Sequence, residues 1–269
     1  MANPVHHYTT IRGLHGILSS FQLWATDVSY MNDTSEYAYA ERLIEQTTRA
    51  LKPPSFLDPV LHALWHNPRS LGIQVYAACF CEKPDLLSQW RAYSGEGTGY
   101  AIEFDWQKLA QRVAAADVFF GKVEYRESVQ SDLIRAIVDP HLKAVSSQKE
   151  IHQTACCGPT DSPLAEVLHL LAVARAFLKA GSFSEEQEWR MVIMGPTTTV
   201  GPNFRLSRDI LVPYMPMDLG GSRERPPFGS ITVGPSSHPV QAQDSLRRFL
   251  ASRGLDWIDV KGSLVPIWL

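Results

Sequence analysis

The stretch at residues 185–194 constrains the fold of this chain more than any other. Glu185-Glu186-Gln187-Glu188-Trp189-Arg190 runs without a break into Met191-Val192-Ile193-Met194. A short apolar run of this kind, entered through charge, reads as a strand that begins at a polar edge and ends in a core. On a strand, Glu186, Glu188 and Arg190 share one face, while Gln187, Trp189 and Met191 share the other. Two carboxylates and a guanidinium on one face are costly unless that face is solvated, internally paired or part of a cleft. The plain alternative is a solvated strand edge.

The rest of the chain reads as alternating short strands and helices. Strands are expected at residues 5–10, 21–26, 75–80, 100–104, 187–194, 210–213, 231–233 and 257–260. Helices are expected at 11–18, 35–51, 86–93, 106–116, 131–147, 162–180 and 242–253. Thr9 or Thr10 is placed to cap the first helix, and Gly254 closes the last. Gly95, Gly97 and Gly99 form a tight turn. Their helix-to-strand order is opposite to that of a dinucleotide fingerprint. No composition shift marks a domain boundary, so residues 1–269 are expected to form one α+β domain with a mainly helical insertion around 106–180.

Charge and cysteine usage narrow the class. The 269 residues carry 25 Lys and Arg against 28 Asp and Glu, a formal net charge of −3. A nucleic-acid partner would thus have to be held by a local patch rather than by a basic field. No run reaches the roughly 18 apolar residues of a membrane span, and residues 1–10 lack a secretory pattern. A cytoplasmic location is expected. Cys79/Cys81 and Cys156/Cys157 are too closely spaced for a disulfide framework or a zinc knuckle and read as reduced thiols. His152 beside Cys156 and Cys157 permits only a distorted metal site, so no metal is expected.

Three clusters combine polar groups with aromatics: His7-Tyr8-Thr9 on the first strand, Gln89-Trp90-Arg91-Ala92-Tyr93 on a short helix, and the charged strand entry at 185–190. Taken singly, each has a structural alternative. His7 can be a satisfied strand histidine, and Trp90 with Tyr93, at i, i+3 spacing, can be core.

At these clusters the sequence resembles a bacterial family known as domain of unknown function 2971. The matching pieces begin with His7-Tyr8-Thr9, Gly13-Leu14, Gly16-Ile17-Leu18, Leu23-Trp24-Ala25-Thr26-Asp27, Tyr30-Met31-Asn32-Asp33 and Glu36. They continue through Cys79-Phe80, residues 87–93 and 99–104, Phe183 and residues 186–190, and end with Val233-Gly234-Pro235 and Ser263-Leu264-Val265-Pro266. That family in turn resembles the ADP-ribosyltransferase superfamily, whose fold is a pair of split antiparallel β-sheets wrapped by helices around NAD. Where many transferases carry a Ser-Thr-Ser strand, this chain reads Cys79-Phe80-Cys81.

The resemblance implies NAD as substrate. It assigns Glu188 to the carboxylate that faces the ribosyl cation, with Glu186 orienting or deprotonating the acceptor. His7, flanked by Tyr8 and Thr9, is implied at the adenosine ribose, Trp90 or Tyr93 at a flat ring, and Arg91 or Arg190 at the pyrophosphate. The implied activity is mono-ADP-ribosyl transfer in a bacterial toxin, effector or phage-defence setting, to a protein or nucleic-acid acceptor. The alternatives are NAD hydrolysis at the same site, or a non-catalytic binding or antitoxin module with a cognate partner. A metal-dependent hydrolase built on His7, Asp33, Glu36 and the His152/Cys156 region is the remaining rival.

Overall fold

The computed structural model describes residues 4–31, 34–53, 55–58, 61–62, 73–95, 98–113, 118–147, 163–195, 201–207, 209–220 and 224–266. Among them, ten strands form one mixed, mainly antiparallel sheet flanked by helices, an α+β architecture. The chain enters through β1 (Pro4–Thr10), α1 (Ile11–Ser20) and β2 (Gln22–Asp27). Thr10 caps α1, its hydroxyl accepting from the Gly13 N–H at 3.2 Å, and Leu14, Ile17 and Leu18 turn inward at helical spacing. α2 (Thr34–Ala50) leads to β3 (Val75–Cys81), then α3 (Leu87–Tyr93), β4 (Gly99–Asp105) and α4 (Trp106–Arg112).

β5 (Val118–Lys122) follows, within the stretch expected to be helical, and pairs with β6 (Glu188–Met194). Between them lie α5 (Glu127–Ser147) and α6 (Pro163–Arg175). β7 (Asn203–Ser207), β8 (Ile210–Asp218), β9 (Phe228–Val233), α7 (Pro239–Ser252) and β10 (Asp259–Gly262) complete the sheet. β7 lies where no strand is expected from the sequence, and it forms a hairpin with β8. No helix of the described residues is long and apolar enough to cross a membrane.

Two apolar layers hold the sheet. One packs β1, β3, β4, β6 and β9 against α1, α4 and α7 through residues such as Val5, Phe80, Phe104, Met191 and Leu250. The other packs the opposite face of β3 and β6, through Val75, Ala77, Val192 and Met194, against α2, α5 and α6. Strand alternation assigns the β6 side chains: Met191 and Ile193 enter the first layer, while Val192 and Met194 enter the second, on the same side as Glu188 and Arg190.

The sheet forks at β3. One edge of β3 is paired with β6 along its whole length, from Val75↔Met194 to Cys81↔Glu188. The other edge is shared by two strands that touch only its ends. β1 meets it at His6↔Cys81 before following β4, and β2 meets it at Thr26↔Ala77 and Asp27↔Tyr76 after following β8. Ala78, Cys79 and Phe80 therefore face a triangular gap in which β1 and β2 diverge, and α1 joins the diverging ends. The two halves of the expected split remain joined through β3.

Candidate functional site

A cleft of about 580 Å³ opens at this fork, within the range of roughly 300–1,000 Å³ usual for small-molecule sites. The Cys79 carbonyl, left without a strand partner on that edge, is satisfied by a side chain: His7 Nδ1 lies 2.9 Å from it. A carbonyl only accepts, so Nδ1 carries the proton. Burial lowers the His7 pKa and keeps the ring neutral, partly opposed by the Cys79 bond. The neutral ring then presents Nε2 as an acceptor. His6, one residue earlier, faces the other side of β1 and sits 3.7 Å from Glu103.

Across the fork, β6 opens with Glu188, which is 5% exposed yet lines the cleft. Arg190 grips it in two places, Nε to Oε1 at 2.7 Å and Nη2 to Oε2 at 2.9 Å, and anchors itself through Nη1 to the Ala176 carbonyl. Lys179 Nζ donates to Oε2 at 3.1 Å and to Glu186 Oε2 at 2.6 Å, and the Cys79 thiol donates to Glu188. Burial pushes the Glu188 pKa up, but the charges and hydrogen bonds of Arg190 and Lys179 outweigh it and hold the carboxyl down to about 2. The group is a carboxylate at any physiological pH. Glu186, Lys179, Glu188 and Arg190 together carry no net charge.

Glu186 reaches this network by a different route from the one its spacing implies. It ends a 3-10 turn (Gly181–Glu186), and Gln187 takes a left-handed conformation, φ 43°, before the strand begins. Strand alternation therefore does not place Glu186; the Lys179 bridge does. Lys179 is itself fixed, its backbone tied to Glu124 and Gln130 and its ammonium over the Phe183 ring.

Of the residues expected at the site, His7, Tyr8, Thr9, Tyr93, Glu186 and Glu188 line this one cleft. Three do not. Trp90 is buried against Tyr8, ring centroids 4.6 Å apart, with its indole N–H on Asp85 at 2.7 Å. Arg91 is exposed on the opposite side of α3 and is not among the lining residues. Arg190 is committed to Glu188, so it is a carboxylate anchor and not a free phosphate ligand. Among the described residues no three His, Cys, Asp or Glu side chains gather as a metal site needs; of the rival metal-hydrolase set, Asp33, His152, Cys156, Cys157 and the Glu36 side chain lie outside the described residues.

The cleft also contains groups that sequence reasoning passed over. Arg12, on the first turn of α1, and Arg205, on β7, line it as cations. Gly13 lets that turn approach β1 closely, since a Cβ there would sit 2.0 Å from Thr9 Oγ1. Trp24 is stacked on Tyr214, centroids 4.2 Å apart and planes 25° from parallel, yet stays 41% exposed at the cleft. Gln89 lines it one turn before Tyr93. The available signal was the i, i+4 spacing of Gln89 and Tyr93, which puts these two, rather than Trp90 and Tyr93, on the cleft-facing side.

The cleft thus joins a carboxylate region, with Glu186, Glu188 and Tyr93, to walls bearing guanidinium groups and an open indole. Residues 89–191 match the model of a protein family of unknown function, DUF2971. The matched stretch runs from Gln89 on α3 to Met191 on β6 and carries Tyr93, Lys179, Glu186 and Glu188, while β1 with His7 precedes it. No curated protein and no solved structure matches the chain.

Proposed function

We propose that the forked cleft binds NAD and that the chain transfers its ADP-ribosyl group to an acceptor. One observation carries this reading: His7, Tyr93 and Glu188, from well-separated parts of the sequence, line a single cleft at the fork of the sheet. The groups fit the substrate by chemistry. His7 Nε2 accepts from a ribose hydroxyl, Arg12 and Arg205 suit a pyrophosphate, and the open face of Trp24 suits a flat base.

In the reaction, the bond between ribose C1′ and the nicotinamide nitrogen breaks and its electron pair leaves with the nicotinamide. A lone pair of the acceptor forms the new bond to C1′, and the acceptor's proton passes to solvent. Positive charge develops at the ribose as the old bond stretches. A carboxylate held ionised beside it stabilises that state more than the ground state. Glu188 has this character, but a carboxylate offers about four acceptor positions, and Arg190, Lys179 and Cys79 use them. A ribose hydroxyl gains access by replacing the Cys79 thiol, the weakest of these donors.

The same first step with water as acceptor gives NAD hydrolysis. A binding module without turnover is the second reading, favoured by the saturation of Glu188 and the zero net charge of its network. Incubating the full chain with NAD and quantifying nicotinamide and free ADP-ribose tests all three. Nicotinamide in excess of free ADP-ribose supports transfer, equal amounts support hydrolysis, and saturable binding without nicotinamide supports the module. Absence of both binding and release contradicts the proposal. A toxin, effector or phage-defence setting rests on the family resemblance alone.

A further inference from the structure

Two glutamine side chains are nearly buried beside the sheet, and they differ in one respect. Gln130 is satisfied on every side: its Nε2 donates to the Glu124 and Lys179 carbonyls and its Oε1 accepts from the Tyr39 hydroxyl. Gln89 is 8% exposed, lines the cleft, and has no hydrogen-bond partner among the described residues. Its carboxamide keeps contact with the cleft space and is not sealed in. A nearly buried amide that is left unpaired is costly unless something else pairs it.

Its position says which part of a ligand it meets. Gln89 stands one turn before Tyr93 on α3, so the two side chains are neighbours on the helix surface. The Tyr93 phenol feels the charges of Glu188, Lys179 and Glu186 and the Cys79 thiol, and its own pKa is raised, chiefly by burial. Gln89 is therefore one helical turn from the carboxylate region, where the bond to the leaving group would break.

We infer that Gln89 is a specificity-determining residue that reads the carboxamide of the nicotinamide ring. This inference rests on the NAD reading and deepens it. A glutamine amide has one acceptor oxygen and two N–H donors, and a nicotinamide carboxamide offers the complementary set, so two antiparallel hydrogen bonds form. Nicotinic acid, with a carboxylate in that place, only accepts, and the Gln89 oxygen is left facing it unpaired. Sites built to hydrogen-bond a substrate group discriminate strongly against the analogue that lacks it.

The test compares initial rates of base release, as kcat/KM, from NAD and from its deamidated analogue carrying nicotinic acid, using the full-length chain and its Gln89→Leu variant. The wild type is expected to prefer NAD by at least about tenfold, and Gln89→Leu to bring the ratio close to one, with an unchanged thermal melting curve. Gln89→Met serves in the same way if the leucine variant does not fold. An unchanged ratio in the variant, or a wild type indifferent to the two substrates, overturns the inference while leaving the NAD reading intact. Failure of the wild type to release base from either substrate overturns the transfer and hydrolysis readings and this inference with them, and absence of NAD binding as well overturns the NAD reading itself.

Discussion

At the scale of single residues, the site turns on how a buried carboxylate is kept ionised. Glu188 is surrounded by Arg190, Lys179 and Cys79, so replacing it alone strands buried donors. From sequence, Glu188→Gln is expected to leave folding intact. The structure argues otherwise: breaking a buried pair from one side typically costs about 3–5 kcal/mol. Glu188→Gln should therefore lower stability by that order in urea melts, and pairing it with Arg190→Met should recover a large part of the loss. Additive losses in this double-mutant cycle would show that the two groups are not coupled.

The pH dependence has two limbs with the same sign. The His7 pKa lies below its ordinary value of about 6.5, so the unfolded chain takes up that proton first and stability falls as pH drops below about 6.5. Glu188 and Glu103 are both held down to about 2. Their contribution is complete above about pH 4.5 and is lost as pH falls toward 2, with Glu188 worth on the order of 3 kcal/mol. Urea melts from pH 8 to 3 should show both limbs, and His7→Gln should flatten only the first. Stability that rises between pH 7 and 5 would contradict the His7 assignment.

At the scale of elements, α3 is the piece that brings Gln89 and Tyr93 to the cleft, and it is held from outside by Asp85. One carboxylate oxygen accepts from the Trp90 indole at 2.7 Å and from the Ser263 hydroxyl at 2.6 Å, while the other accepts from the Leu264 N–H at 2.7 Å. Val265 and Leu86 close over the same small cluster, with Tyr8 and Trp90 at its centre. Asp85→Ala should destabilise the chain by about 2 kcal/mol or more, since hydrogen bonds to a charged group contribute roughly 1.5–3 kcal/mol each. Hydrogen exchange should speed up in α3 ahead of the rest of the sheet. Exchange unchanged in α3 would mean that its packing alone holds it.

The same scale shows what was legible beforehand. β1, α1, β3, α3 and β6 were readable from apolar patterning and capping, because each carries its own signal: Thr10 before an apolar helical face, or the unbroken apolar run along Val75–Cys81. β5 and β7 were not. Val118–Lys122 is five residues long and becomes a strand by pairing with β6, and Asn203–Ser207 by pairing with β8. Lys179 follows the same logic. A lone lysine after an apolar helix reads as a surface residue, and only the fold reveals that it bridges Glu186 and Glu188.

At the scale of the whole molecule, the decisive feature is the fork at β3, which no local pattern encodes. It arises because β1 follows β4 and β2 follows β8, each preferring a long ladder elsewhere to a full ladder on β3. That divergence opens the cleft, strips the Cys79 carbonyl of a strand partner so that His7 turns to it, and sets Glu188 on the far side of the same strand. Residues about 180 positions apart are thereby assembled around one space. The direct test is a crystal structure of the full chain with NAD. The expected result is density for the dinucleotide at the fork, with a ribose hydroxyl on the Glu188 carboxylate in place of the Cys79 thiol and a second hydroxyl on His7 Nε2. NAD bound elsewhere, or a cleft empty at saturating NAD with the Glu188–Arg190–Lys179–Cys79 contacts unchanged, would contradict the assignment of this cleft as the site.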